Sequence, residues 1–200
     1  MQVRPFAADA LLVECADLAE AMALHAEALR RRVVARDVVP AARTVLFDGV
    51  GDRDALAGEI GSWALDTGDA LCGDLVELPT SYDGPDLAAV AERWGMSPQQ
   101  AVATHRDIEF TVAFCGFAPG FGYCIGLPER LWVPRLDSPR SSVPAGSVGL
   151  AGEFTGVYPS PSPGGWQIIG HTTATLWEES REPPALLAPG TRVRFVDALA

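Results

Sequence analysis

Phe114 to Trp177, FCGFAPGFGYCIGLPERLWVPRLDSPRSSVPAGSVGLAGEFTGVYPSPSPGGWQIIGHTTATLW, decides how this chain folds. From Gly116 to Gly170 it holds 11 of the 20 glycines and 8 of the 16 prolines. Proline removes a backbone donor and fixes φ, while glycine costs backbone entropy in any regular element. A helix of useful length does not survive that density. Short strands, tight turns and closely approaching backbones remain, so the segment reads as a small β-barrel or a binding surface laid across one.

Outward from this stretch, 200 residues are enough for one large or two small domains. An apolar share of 48% and a charged share of 20% describe an ordinary globular protein. The formal charge of −11 argues against nucleic acid, whose binding rests on clustered cations. Arg30-Arg31-Arg32 is the one basic run and reads as a solvated helix end. All 15 basic residues are arginine, so Walker-A, Schiff-base and general-base lysine chemistry are excluded for this chain. Arg4, Asp9 and Glu14 interrupt any apolar leader, and no run approaches the ~20 apolar residues of a membrane span. A cytoplasmic protein without membrane association is expected. Cys15, Cys72, Cys115 and Cys124 are too widely spaced for a CxxC motif and read as reduced, mostly buried thiols.

N-terminal to the barrel segment, Ala10–Cys15 reads as a strand, and Asp17 caps a helix over Leu18–Arg31. Leu18, Met22, His25 and Leu29 form its expected apolar stripe, which makes His25 a packed histidine. Val33–Val39 and Thr44–Phe47 read as strands, Asp52–Leu65 as a helix, and Leu75–Leu78 as a strand. This β-α-β-β-α-β order predicts a ferredoxin-like α+β domain over residues 1–80, with a second domain over 81–200 beginning at the turn-rich PTSYDGP. A short helix over Asp86–Trp94 follows. Ser97-Pro98 caps another over Gln99–His105, before strands at Ile108–Phe114 and Arg192–Val196.

Several motifs fail on inspection. Ala145-Gly146-Ser147-Val148-Gly149 lacks the first glycine of G-x-S-x-G, so Ser147 is a turn or ligand-contact hydroxyl. Gly116, Gly120, Gly122 and Gly126 do not make a dinucleotide fingerprint. Three histidines at 25, 105 and 171 contain no HExxH pair, so no metal site is expected. Arg135 and Arg140, each following a proline, suit bidentate capture of carboxylate or phosphate and equally suit intramolecular ion pairs. Trp166 either covers a pocket or packs a barrel end. His105, at a helix end before a strand, reads as an acid or base near neutral pH or as a domain-joining hydrogen bond.

Taken together, Tyr82–Leu87 (YDGPDL), His105, Gly116–Tyr123 (GFAPGFGY), Pro134-Arg135, Pro139-Arg140, Val143–Gly149 (VPAGSVG), Tyr158-Pro159 and Pro163–Trp166 (PGGW) resemble the allophanate hydrolase subunit 1 / KipI / PxpB family. That family includes one subunit of bacterial ATP-dependent 5-oxoprolinase and an inhibitor of a sensor histidine kinase. The chain also resembles half of the carboxyltransferase region of urea carboxylase. One departure stands out: Gly170-His171-Thr172 replaces the family's usual Gly-Arg-Thr.

The resemblance implies an N-terminal α+β domain followed by a cyclophilin-like β-barrel. It implies a subunit that opens 5-oxo-L-proline to L-glutamate together with a subunit-2 (PxpC-like) partner and a PxpA-like subunit. The alternatives it implies are a KipI-like kinase inhibitor and an allophanate hydrolase or urea carboxylase-type carboxyltransferase subunit. ATP with Mg2+ is expected to bind together with the partner subunits. His105 is the expected catalytic residue. The expected ligand contacts are Phe117, Pro119, Gly120, Tyr123, Arg135, Arg140, Pro144, Gly146, Ser147, Gly164, Gly165, Trp166 and His171.

Overall fold

The computed structural model describes residues 1–66 and 73–198, so Cys72 lies outside the described residues. The chain divides into two compact units, residues 1–71 and 72–200.

The first unit contains β1 (Gln2–Phe6), β2 (Ala10–Glu14), α1 (Leu18–Arg30), β3 (Asp37–Pro40), β4 (Thr44–Asp48) and α2 (Arg53–Ile60). Its sheet is antiparallel, in the order β1-β2-β4-β3. Asp17 accepts from the Glu20 amide at 2.9 Å and Asp52 from the Ala55 amide at 2.9 Å, so both helices start on carboxylate caps. Alternation in β2 and β4 turns Leu11, Val13, Val45 and Phe47 onto one face, where they pack with Leu24, Ala28, Leu56, Ile60 and Trp63.

Two expectations need correction here. The element order is β-β-α-β-β-α, because Leu75–Leu78 is not in this sheet. The place beside β2 is held instead by β1, an edge strand with Pro5 in it and little burial to announce it. The core face of α1 is also rotated from the expected stripe: Ala21, Leu24 and Ala28 are buried, while Leu29 is 49% exposed. The small alanines provide the face that meets the sheet. His25 is buried as expected, which lowers its pKa.

The second unit contains β5 (Leu75–Ser81), α3 (Leu87–Arg93), α4 (Pro98–Asp107), β6 (Phe110–Cys115), β7 (Gly122–Ile125), β8 (Arg140–Val143), β9 (Ser147–Ala151), β10 (Phe154–Val157), β11 (Ser162–Gly164), β12 (Gln167–Thr172) and β13 (Arg192–Asp197). Seven strands close a barrel in the order β10-β7-β6-β13-β5-β12-β9, consistent with the cyclophilin-like barrel expected from the resemblance. The strand expected at Leu75–Leu78 runs on to Ser81 and pairs in parallel with β13, from Leu75 opposite Arg192 to Thr80 opposite Asp197. β13 also pairs with β6, so the C-terminal strand closes the circle. Between Phe114 and Trp177, all of them described residues, the only helical turn is a 3-10 turn at Glu129–Leu131. Ser97 and Gln100 form a full capping box on α4, with Pro98 at its start.

Leu78, Phe110, Val112, Cys124, Val148, Leu150, Ile169 and Phe195 fill the barrel. A second apolar cluster joins Phe121, Tyr158 and Trp166, which flank β7, β10 and β12, with Ile168 of β12 and Val143 of the β8–β11 ribbon. Cys15 and Cys124 are buried and Cys115 half-buried, all as free thiols, and burial pushes Cys15 and Cys115 up to about 11. Among the described residues, no helix is long and apolar enough to cross a membrane.

Candidate functional site

Among the described residues of the barrel unit, two cavities share the β8–β11 ribbon. Gly164 lines one, and its register partner Arg140 lines the other.

The larger cavity, about 570 Å3, is walled by aromatic rings: Phe117, Phe121, Tyr123, Phe154, Tyr158 and Trp166. Its local backbone is specialised. Phe117 sits at φ 68 in the left-handed region and leaves its ring 60% exposed, an arrangement that costs free energy in a non-glycine residue. A Cβ on Gly164 would lie 2.3 Å from the Tyr158 hydroxyl, so only glycine admits that buried phenol. Burial pushes the Tyr158 and Tyr123 phenols upward in pKa. The Pro134-Arg135 segment is held by Gln167 Nε2 donating to the Pro134 carbonyl at 3.0 Å and by the Leu136 amide donating to the Gly165 carbonyl at 2.7 Å. Arg135 thereby lies across Gly165 and projects into the cavity, where Glu153 also stands. Pro119 and Gly120 shape the turn that carries Phe117, closed by the Phe121 amide on the Ala118 carbonyl at 3.0 Å.

The smaller cavity, about 340 Å3, is lined by Arg140, Pro144, Ser147 and His171 of the expected residues, and also by Asp83, Val143 and Ile168. Ser147 and His171 are register partners across β9 and β12, so their side chains share one face. His171 Nδ1 meets Asp83 Oδ1 at 2.8 Å. Arg140 donates to Asp86 Oδ1 at 2.8 Å and to the Trp166 carbonyl at 3.3 Å, while Asp86 Oδ2 accepts the Ile168 amide at 2.6 Å. Gly146, at φ 79, packs against β12, where a Cβ would come within 2.2 Å of the Thr172 carbonyl. Arg140 is an intramolecular ion-pair partner that also lines a cavity.

His105 lies elsewhere. It is 1% exposed inside the barrel, between Phe110 and Phe195 at centroid distances of 5.0 and 4.7 Å. The Thr155 hydroxyl donates its proton to the Gly149 carbonyl at 3.2 Å, so it accepts from His105 Nε2–H at 3.3 Å. Nδ1 is then left to accept from the Tyr82 hydroxyl at 2.9 Å. Burial drives the imidazole pKa down to about 3 and keeps it neutral at neutral pH. In place of an open acid or base, the structure shows an enclosed imidazole whose two nitrogens are partnered by Tyr82 and by Thr155 of β10. Its spacing from Ala101 on the buried side of α4 was the available signal. Of the residues missed, Asp83, Asp86 and Tyr158 lay inside the quoted motifs, whereas Glu153 gave no signal in the sequence.

Of the groups that could meet an anion, Arg140 keeps Asp86 and the Trp166 carbonyl as partners, Arg135 lines the larger cavity, and the Gly116, Ala118 and Phe121 amides of the glycine-rich turn donate within that turn. Among the described residues, no three His, Cys, Asp or Glu side chains converge as metal ligands.

The class this defines is a two-unit α+β protein whose barrel carries preformed cavities lined by arginine and aromatic side chains. The chain belongs to the family described as carboxyltransferase domain, subdomain C and D, whose model matches residues 1–187. It is 52% identical over 124 residues to the B-type subunit of 5-oxoprolinase from Escherichia coli O157:H7, a match covering 60% of this chain and 57% of that protein. It is 47% identical over 125 residues to the corresponding 5-oxoprolinase subunit of Bacillus subtilis (strain 168), covering 61% and 52% respectively. The matched segment thus spans little more than half the length of these relatives. The solved structure of TTHA0988 superposes with a TM-score of 0.77 at 33% identity, over 98% of this chain and 40% of that one.

Proposed function

We propose that this chain is the substrate-binding subunit of a 5-oxoprolinase-type hydrolase, which opens 5-oxo-L-proline to L-glutamate in an ATP-dependent complex. The observation that carries this reading is the chemistry of the barrel's cavities. Guanidinium, hydroxyl and imidazole groups stand in apolar and aromatic walls, which suits a small cyclic amide bearing a carboxylate. The relatives named as 5-oxoprolinase subunits, at 52% and 47% identity, support the same substrate class.

ATP with Mg2+ is taken to bind together with the partners, a subunit-2 protein and a further subunit: the amides of the 116–121 turn bond within that turn, and Arg135 is the cation this chain places in the larger cavity. The exposed rings of Phe117 and Trp132 at the rim of the larger cavity are the surface offered to such a partner. The test is glutamate release from 5-oxoproline and ATP by the chain alone, by the partners alone and by the mixture. Only the mixture is expected to turn over. No release with every partner present, together with loss of sensor-kinase autophosphorylation on adding the chain, would replace this reading with the inhibitor one.

A further inference from the structure

We infer that the smaller cavity is a recognition site for a lactam carboxylate, with His171 and Ser147 reading the ring amide and Arg140 the carboxylate. The inference rests on the proposed function for the identity of the ligand and on the cavity's geometry for its place. A lactam presents an N–H donor and a C=O acceptor side by side. Recognising both takes an acceptor and a donor that are also side by side. Register pairing of Ser147 with His171 places two such side chains next to each other on the cavity face. The contact of His171 Nδ1 with Asp83 Oδ1 at 2.8 Å directs the Nδ1 proton to the carboxylate, which leaves Nε2 as an acceptor for the lactam N–H. The Ser147 hydroxyl is the donor for the lactam oxygen.

Arg140 supplies the remaining complement. Two of its donors are bound to Asp86 and to the Trp166 carbonyl, which fixes the fork, and a guanidinium has five N–H groups in all. Val143, Pro144 and Ile168 provide apolar wall for the ring methylenes. The frame is rigid. The Gly84 amide donates to the Ile169 carbonyl and the Asp86 amide to the Ile168 carbonyl, pinning the loop that carries Asp83 to β12. A Cβ at Gly84 or Gly170 would come within 2.3 Å of the Ile168 carbonyl or 2.4 Å of the Ser81 carbonyl, so backbones close tightly on that side. At about 340 Å3 the cavity is at the small end of the roughly 300–1,000 Å3 typical of small-molecule sites.

The test is titration of 5-oxo-L-proline into the chain and into the complex reconstituted with its partners, following the imidazole resonances by NMR. His25 and His105 are buried at 6% and 1% exposure, so His171 is the histidine open to ligand. Its signal is expected to move and saturate while the other two stay still. Ser147→Ala and His171→Phe should each weaken binding about tenfold, the loss of one well-made hydrogen bond. Glu153→Gln, in the larger cavity, should not. Proline, which keeps ring and carboxylate but lacks the lactam oxygen, should bind at least about tenfold more weakly than 5-oxoproline. A stationary His171 signal at saturating 5-oxoproline in both chain and complex overturns the inference, as does weakening by Glu153→Gln alone. Glutamate release by the same complex is scored separately: turnover with a silent His171 rejects this site and keeps the function, while a moving His171 without turnover keeps the site and rejects the function.

Discussion

Replacing His105 with glutamine puts the barrel interior to a quantitative test. Burial lowers the imidazole pKa from 6.5 to about 3. The unfolded chain therefore takes up this proton at a higher pH than the folded one. Its contribution to stability is whole above pH ~6.5 and is lost as pH falls toward 3. One pKa unit corresponds to about 1.4 kcal/mol, so moving from pH 7 to pH 5 removes about 2 kcal/mol through this side chain. Glutamine does not titrate, yet its amide offers an acceptor to the Tyr82 hydroxyl and a donor to Thr155. Urea unfolding at the two pH values, followed by tryptophan fluorescence, gives the loss for each protein. Subtracting one loss from the other cancels groups that both share, including His25, whose pKa burial also lowers. His105→Gln is expected to lose about 2 kcal/mol less than the parent between pH 7 and pH 5. Losses agreeing to within about 0.5 kcal/mol would refute the reasoning, because the imidazole would then titrate in the folded barrel as it does in water.

Other consequences can be checked by the same unfolding assay. Gly146→Ala should cost at least about 3 kcal/mol, combining left-handed strain with overlap on the Thr172 carbonyl at 2.2 Å. Gly152→Ala, at φ 58 with nothing within 4 Å of the added Cβ, should cost only about 1 kcal/mol. Arg140→Ala should destabilise by about 2 kcal/mol, because Asp86, with its side chain 13% exposed, loses its ion-pair partner. A loss below about 0.5 kcal/mol would mean the pair contributes nothing to stability. Ser97→Ala removes the hydroxyl of the α4 capping box and should lower stability by about 1 kcal/mol, seen as a shift of the urea midpoint at constant slope.

What could be read from the sequence was mostly what local chemistry encodes. Asp17 and Ser97-Pro98 announced their helices because a cap is a contact over three residues. The glycine and proline density from 116 to 170 ruled out helix there because each residue does so on its own. The failures of strand placement involve distant partners. β5 looked like the end of the first unit, but its place is set by parallel pairing with β13 near the other end of the chain. β1 lacks alternation because an edge strand buries little, and the residues that would betray it sit across β2. The barrel could be read as a class, but its closure could not.

The same divide explains His105 and Arg140. A titratable residue's chemistry depends on what encloses it, and enclosure is a long-range property. His105 lies on the buried side of α4, yet the burial that keeps it neutral comes from distant surroundings, among them Phe195 of β13, Thr155 of β10 and Tyr82 just after β5. Arg140 offered two readings, ligand contact or ion pair; the structure shows the ion pair, on a side chain that also lines a cavity. Asp86 divides its carboxylate between the Arg140 guanidinium and the Ile168 amide, tying β8, β12 and the start of α3 to one group. A cation that must meet a small carboxylate without a large loss of conformational entropy needs such a brace. On the proposed site, the ion pair is therefore also the brace that would hold Arg140 for a carboxylate, and a substitution at Asp86 is expected to weaken stability and binding together.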